Sequence, residues 1–385
     1  MNKFIKYLGC GFLYLIVSFN LFAMELEENI VDVDINEELL DEKGLFKDSE
    51  AVITFIIEAA KEGRLPEKFQ HIKFARKLEK EHRISRFWTE QLYEVLCEDR
   101  TAHVIKGIFE KEKNKDEAKA QIRNLQSACK DSRLEGFVFP YETSGLQFIF
   151  PRHYLRYSNK GEEHFLEILP KGQGQVLHEI ITEFVANTSP EIVQLAGKAY
   201  FDIGYSLAKF YKSQGTLDNT IIHWSLHGSN MLYDSKTRMV ILIDNDVVIK
   251  SLEKPTHVGR DMATLFALSP YIINFTFENF LEQLDLTRWY TITLTSFLFG
   301  FLSTYEQSER KDIFIKLKDL LLKWDTYFNK KDIKKAKKAI KNVLIKNPEN
   351  ENNLESQYIE QGKSELEIIE QNPDLEILKY FILND

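Results

Sequence analysis

Apolar residues recur at helical spacing in the first part of the chain and in shorter runs after it. From about residue 50 to residue 99 the spacing of Ile, Ala, Phe, Leu and Val predicts helices. The short apolar runs that follow predict strands at residues 102–108, 136–140, 147–150 and 164–169. A helix-forming stretch at residues 115–128 interrupts them. Residues 100–170 therefore predict a small mixed region with one internal helix.

After Gly174 the pattern becomes helical, with one interruption. Two apolar strands around a polar turn predict a β-hairpin, while the stretches on either side are amphipathic with a helical period. The predicted helices cover residues 176–186, 192–212 and 260–327, and the predicted hairpin strands cover residues 231–233 and 239–243. A mostly helical region carrying a single hairpin follows from this pattern.

The N-terminus predicts an export signal. Lys3 and Lys6 precede an uncharged apolar stretch over residues 7–23, which is typical of a secretory signal peptide. Cleavage after Ala23 would release an acidic mature chain to the periplasm or the medium. The alternative is a membrane anchor formed by residues 7–23, at the short end of the length that spans a bilayer.

The chain divides into five predicted segments. They are a signal peptide (1–23), an acidic leader with a helical extension (24–99), a strand-containing lobe (100–170), a mostly helical lobe (171–328) and a charged helical tail (329–385). The lysine-rich residues 330–346 are the one predicted contact with an anionic membrane, and a solvated helical face is the alternative.

Composition excludes several classes of protein. With 385 residues, of which 44% are hydrophobic, the chain has the apolar content of a folded protein and not of a disordered one. A formal net charge of −9 argues against a general nucleic-acid-binding surface. Three cysteines are too few for a disulfide scaffold; Cys97 and Cys129 are either a pair or two free thiols.

A polar loop and a carboxylate cluster flank the predicted hairpin. Residues 223–230 read His-Trp-Ser-Leu-His-Gly-Ser-Asn, and residues 243–246 read Ile-Asp-Asn-Asp. Because the two ends of a hairpin meet, the Asn230 amide oxygen and the Asp244 carboxylate are expected close together. Hard oxygen ligands grouped in this way suit Mg²⁺, whose remaining positions the phosphates of a nucleotide would fill.

This arrangement resembles the protein-kinase-like superfamily, and most of all its aminoglycoside and choline phosphotransferase branch. In that branch a His-x-Asp-Leu-His-x-x-Asn loop precedes a hairpin that ends in Ile-Asp. The resemblance implies an α+β, bilobal fold with a small strand-containing N-lobe and a mostly helical C-lobe, preceded here by a helical extension. It implies binding of ATP and Mg²⁺, with His223 as the loop histidine, Asn230 and Asp244 as metal ligands, and Asp261 as a structural residue bonding the loop backbone.

Ser225 stands where the resemblance expects the catalytic aspartate. That aspartate normally accepts the proton of the attacking hydroxyl, whereas a serine hydroxyl is neutral at pH 7. Loss of a positioned general base costs roughly 10²–10⁴-fold in rate. Asp218, His227 and Asp246 are the nearby groups that would have to substitute for it.

Three further positions match the superfamily more loosely. Lys106, at the end of a predicted strand, corresponds to the lysine that contacts the nucleotide phosphates; an ordinary strand lysine is the alternative. Glu117 and Gln121 lie on the next predicted helix, and Gln121 falls where the resemblance expects a glutamate paired with that lysine. Residues 165–172, including Glu167, resemble the hinge that meets the adenine.

Three hypotheses about function follow. The first is an exported kinase-like protein that binds a Mg-nucleotide, with absent or atypical phosphoryl transfer to a small-molecule or protein hydroxyl. The second is a catalytically dead pseudokinase that acts as a protein-binding scaffold or secreted effector, favoured by Ser225 and Gln121. The third is a helical structural protein in which the motif occurs by chance.

Overall fold

The computed structural model describes residues 30–78, 91–108, 115–140, 145–186, 189–245, 248–269, 286–322 and Lys338. The strands in this part of the chain are β1 (Ile30–Asp32), β2 (Ile72–Lys77), β3 (Leu92–Cys97), β4 (Ala102–Ile108), β5 (Leu146–Phe148), β6 (His153–Asn159), β7 (Glu162–Pro170), β8 (Gln175–Val176), β9 (Met231–Asp234) and β10 (Met239–Leu242). The α-helices are α1 (Ser49–Lys61), α2 (Lys115–Cys129), α3 (Leu177–Ala186), α4 (Pro190–Gln214), α5 (Val248–Glu253), α6 (Gly259–Ala263), α7 (Leu286–Leu302) and α8 (Gln307–Leu322). A π-helical turn, Thr264–Leu268, continues α6.

The described residues form two units. The first contains those among residues 30–78, 91–122 and 151–171, and the second contains the remainder. The predicted signal peptide (1–23) and the tail (329–385), apart from Lys338, lie outside the described residues. No described helix is both long and apolar enough to cross a membrane.

The first unit is built on a sheet whose described strands run in the order β1-β6-β7-β4-β3-β2. Strand β1 pairs in parallel with β6, and the other neighbours are antiparallel. Helix α1 begins at the cap residue Asp48, whose side chain accepts a hydrogen bond from the Ala51 N–H at 2.8 Å. Its Phe55 and Ile56 are fully buried in one apolar cluster with strand residues such as Ile105. This cluster is the core of the first unit.

The second unit is mostly helical and carries a small sheet of described strands in the order β5-β10-β9-β8. Strands β9 and β10 form the antiparallel hairpin. The hairpin is fixed to α4 through Asp202, which is buried and accepts hydrogen bonds from Tyr233 Oη at 2.7 Å and Arg238 Nη2 at 2.6 Å. Burial and the neighbouring Asp202 carboxylate raise the pKa of Tyr233, so the phenol stays a hydrogen-bond donor.

The predicted α+β class is confirmed, and most local elements agree with the sequence. Strand β4 and helix α2 fall where the pattern predicts them, and so do α3, α4 and the hairpin. Strand β6 was not predicted, and residues 136–140 form a turn in which Val138 makes one isolated bridge to Phe148.

The helical prediction for residues 50–99 is wrong at residues 72–77 and 92–97. Residues 72–77 and 92–97 are the paired strands β2 and β3. One face of β3 is fully buried, with Tyr93, Val95 and Cys97 inaccessible, whereas Glu94 and Leu96 on the other face are half-buried. Because apolar residues stand on both faces, they do not alternate strictly with polar residues, and their spacing resembles that of a helix.

The predicted boundary at residue 99 also does not separate two structural parts. Strands β3 and β4 pair across it, and β1 pairs with β6, so the predicted extension supplies three strands of the sheet in the first unit. Among the described residues, Cys97 is buried and Cys129 half-buried, and no disulfide joins them. Of the two alternatives for these residues, the structure therefore contains two thiols.

Candidate functional site

The two predicted metal ligands lie at the open end of the hairpin. The last pair of the ladder is Met231 with Leu242, and the next backbone hydrogen bond runs from the Ile243 N–H to the Asn230 carbonyl at 3.0 Å. Asn230 and Asp244 are therefore brought together by the pairing of β9 and β10. Asp244 is exposed and has a left-handed backbone with φ of 59°. Such a conformation in a non-glycine residue is uncommon and concentrates at functional sites.

The side chain of Asn230 is held in one orientation. It is buried, and its Nδ2 donates a hydrogen bond to the Ser225 carbonyl at 3.1 Å. Because the amide nitrogen is directed at that carbonyl, the amide oxygen Oδ1 points the other way. Oδ1 is therefore the atom through which Asn230 would bind a metal ion.

His223 ties the loop to the end of β10. Its Nε2 lies 3.1 Å from the Ile243 carbonyl and 3.0 Å from Asn245 Oδ1. Since a carbonyl oxygen only accepts, Nε2 carries the proton and donates. Asn245 is itself fixed, because its Nδ2 donates to the carbonyls of Ile149 at 2.6 Å and Leu242 at 3.0 Å. His223 is thus a positioning residue for the segment that contains Asp244.

Asp261 holds the beginning of the same loop. Its carboxylate is fully buried and accepts hydrogen bonds from the N–H groups of His223 and Trp224, each at 2.8 Å. Tyr211 Oη donates a third hydrogen bond, also at 2.8 Å. Burial raises the pKa of Asp261, while these donors and His223 act in the opposite direction. The predicted role of Asp261, bonding the loop backbone, corresponds to this geometry.

The segment after Asp261 supports the loop at two more points. The Gly228 N–H donates to Ser269 Oγ at 2.9 Å, just beyond the π-helical turn. The Arg260 guanidinium lies 4.2 Å from the centre of the Trp224 ring, and its Nε donates to the Trp224 carbonyl at 3.3 Å. Trp224 has a positive φ of 71°, and stacking beneath Arg260 compensates part of that strain.

Ser225 is half-buried at the position of the expected base. Its carbonyl accepts hydrogen bonds from the His227 N–H at 2.9 Å and from Asn230 Nδ2, so the main chain of Ser225 has a structural role. Asp218 forms an ion pair with Lys316, and Asp246 lies outside the described residues. Burial lowers the pKa of His227 to about 4, which leaves the ring neutral at pH 7.

The donor atoms at the hairpin end are oxygens, the ligand type that Mg²⁺ prefers. Among the described residues there is no group of three or more His, Cys, Asp or Glu side chains that could hold a metal ion. Mg²⁺ has no need of such a group, because it commonly binds one or two carboxylates and keeps waters and substrate phosphates as its other ligands. The carboxylate of Asp244 and the Oδ1 of Asn230 match that chemistry.

The other predicted residues lie in the first unit. Lys106 is half-buried on β4, and Gln121 is half-buried on α2; the Glu117 side chain lies outside the described part. Residues 165–170 of the predicted hinge lie in β7, where they pair with β4, and Lys171 and Gly172 follow the strand. Glu167 is 3% exposed and lies directly opposite Lys106 in the register of β7 and β4.

Sequence reasoning missed the residues that support the loop. Asn245 and Ser269 carry no recognisable spacing signal, since their partners lie 96 and 41 residues away. Arg260 directly precedes Asp261, and this adjacency is the one signal that points to it.

Comparison with known proteins found similar solved structures. No family model and no curated protein matches the chain. One similar solved structure is the crystal structure of a Toxoplasma gondii specific rhoptry antigen kinase domain. It is 12% identical, with a TM-score of 0.37, and the match covers 60% of this chain and 79% of that one. Another is WaaP in complex with acyl carrier protein, 14% identical, with a TM-score of 0.33, covering 65% of this chain and 86% of that one.

Proposed function

We propose that this chain is a kinase-like protein that binds a Mg-nucleoside triphosphate and has absent or slow phosphoryl-transfer activity. The observation that carries the proposal is the end of the hairpin. There the pairing of β9 with β10 brings the oriented Asn230 amide and the left-handed Asp244 together. Asn230 and Asp244 would hold Mg²⁺, and Lys106 would contact the phosphates. When bound, the metal neutralises charge on the triphosphate.

The residues around the ligands act by positioning. Asp261 and Ser269 hold the backbone of residues 223–230 from the side of α6, and His223 connects that loop to Asn245. These hydrogen bonds fix the loop before any ligand arrives, which lowers the entropy cost of binding.

Ser225 favours a second candidate function, a catalytically dead pseudokinase that serves as a binding module. A neutral hydroxyl cannot replace a carboxylate base. Burial lowers the pKa of His227, two residues along the chain, to about 4, which makes it a weak proton acceptor at pH 7. These side chains therefore favour a protein that binds the nucleotide without transferring its phosphoryl group.

Thermal unfolding with Mg·ATP tests the binding proposal. We expect millimolar Mg·ATP to raise the midpoint of the parent chain, since a ligand that binds the folded state stabilises it. Removal of Mg²⁺ with EDTA and the Asp244→Asn variant should each abolish the shift. Asp312→Asn is the matched control, because Asp312 is exposed on α8, and it should keep the shift. An equal shift in parent and Asp244→Asn would refute the role of Asp244.

Hydrolysis of radiolabelled ATP separates the two candidate functions. The parent should release little or no phosphate, Ser225→Ala should match it, and Ser225→Asp should release more. If the parent turns over and Asp244→Ala abolishes that turnover, the dead-pseudokinase interpretation is wrong. Binding without turnover in the parent supports it.

A further inference from the structure

The two faces of the sheet in the first unit differ in character. Side chains alternate along a strand, so Ile105 and Lys106 on β4 lie on opposite faces. Ile105 belongs to the apolar cluster that packs against α1, together with Ile168 on β7. Lys106 and Glu167 therefore share the opposite face. This second face carries charge at the centre of the sheet.

Lys106 and Glu167 are a directly opposed cross-strand pair. They are register partners in the antiparallel pairing of β4 and β7, which places their Cβ atoms about 5 Å apart. On its other side Glu167 is opposed by Tyr154 of β6, which is 4% exposed. The Glu167 side chain thus lies between Lys106 on β4 and Tyr154 on β6.

Burial makes a cationic neighbour necessary for Glu167. Only 3% of this residue is exposed, and an ionised carboxylate removed from water is costly unless a charge is paired with it. Two arginines lie diagonal to Glu167, one on β6 and one directly before it. Arg156 is engaged with Asp32 and Glu163, whereas Arg152, next to β6, is the rival partner. Lys106 is the described cation placed directly opposite.

The resemblance predicts a glutamate on helix α2 as the partner of Lys106. Gln121 occupies that position instead, and its amide carries no charge with which to form an ion pair. We infer that Glu167, supplied by the neighbouring strand, is the residue that positions Lys106 for the nucleotide phosphates. The role of Lys106 at the phosphates rests on the proposed function, whereas the pairing of Glu167 with Lys106 does not depend on it.

A double-mutant cycle in urea unfolding without nucleotide tests the pair. The variants are Lys106→Met, Glu167→Gln and both together, with the same cycle built on Arg152→Met. We expect the loss in midpoint for the Lys106–Glu167 double variant to be smaller than the sum of the two single losses. Additive losses for that pair, or coupling confined to Arg152, would overturn the inference.

Mg·ATP affinity tests the positioning role on the same variants. Lys106→Met and Glu167→Gln should each weaken affinity at least tenfold, and the double variant should be no weaker than Lys106→Met. Glu167→Asp should recover part of the affinity, and the control variant Asp312→Asn should change it less than twofold. Unchanged affinity in a folded Glu167→Gln protein would refute the role. If the parent binds no Mg·ATP, the proposed function fails, while a non-additive unfolding cycle still supports the pair.

Discussion

Among single residues, Asp261 makes the largest number of described contacts with the loop backbone. One buried carboxylate satisfies two backbone N–H groups and the hydroxyl of Tyr211. Buried donors without an acceptor each cost about 1–3 kcal/mol. The shape of residues 223–230 therefore depends on an acceptor at this position.

Asp261→Ala should lower the free energy of unfolding by about 3–5 kcal/mol, because it leaves three buried donors without their acceptor. Tyr211→Phe removes one of the same hydrogen bonds and should cost about 1 kcal/mol. Urea unfolding of both variants measures the difference. Equal losses for the two variants would show that the backbone donors find other acceptors.

Between elements, helices α4 and α7 of the second unit pack closely at two glycines. A Cβ atom built on Gly204 would lie 2.1 Å from the Phe297 carbonyl oxygen, and one on Gly300 would lie 2.0 Å from that of Phe201. These contacts are with backbone, which cannot move aside without separating the helices. The two glycines thus set the distance between α4 and α7.

Gly204→Ala should destabilise the protein by about 3 kcal/mol, because overpacking forces the helix backbones apart. Gly197 on the same helix is the matched control, since its Cβ would meet Ser296 Oγ at 3.4 Å, an ordinary contact. Gly197→Ala should be neutral or stabilising by up to about 1 kcal/mol through helix propensity. Thermal unfolding compares them, and equal destabilisation would refute the close approach at Gly204.

For the whole molecule, buried histidines make stability depend on pH. Burial lowers the pKa of His103 and of His178 from 6.5 to about 4, one in each unit. Their exposed fractions are 6% and 7%. Between these pH values the unfolded chain binds more protons than the folded chain, so the free energy of unfolding falls as the pH falls. At higher pH both states hold neutral rings and this contribution is constant.

Each of these two histidines should remove up to about 3 kcal/mol of stability between about pH 6.5 and pH 4. Urea unfolding at about pH 7, 5.5 and 4.5 measures the slope. His103→Gln and His178→Gln should each make the dependence shallower, whatever their effect at neutral pH. Stability that stays constant or rises over this range would contradict the prediction.

The sequence by itself determined the elements whose signals are local. The polar turn between two apolar strands predicts the hairpin, and amphipathic periodicity predicts α3 and α4. The candidate ligands Asn230 and Asp244 could be predicted for the same reason, because they flank one hairpin in the chain. Because Asn230 and Asp244 are close in the chain, a local sequence pattern is enough to predict that they lie close together.

Only the tertiary structure decided the rest. Strand β3, which carries apolar residues on both faces, needed its neighbours β2 and β4 to be distinguished from a helix. The place of Glu167 opposite Lys106 depends on a strand register that joins residues far apart in the chain, and a shift of one residue would move Glu167 to the other face. The hydrogen bonds of Asp261 and Ser269 to the loop likewise join distant segments. Non-local pairing is set by the packing of the whole unit, and so local periodicity does not encode it.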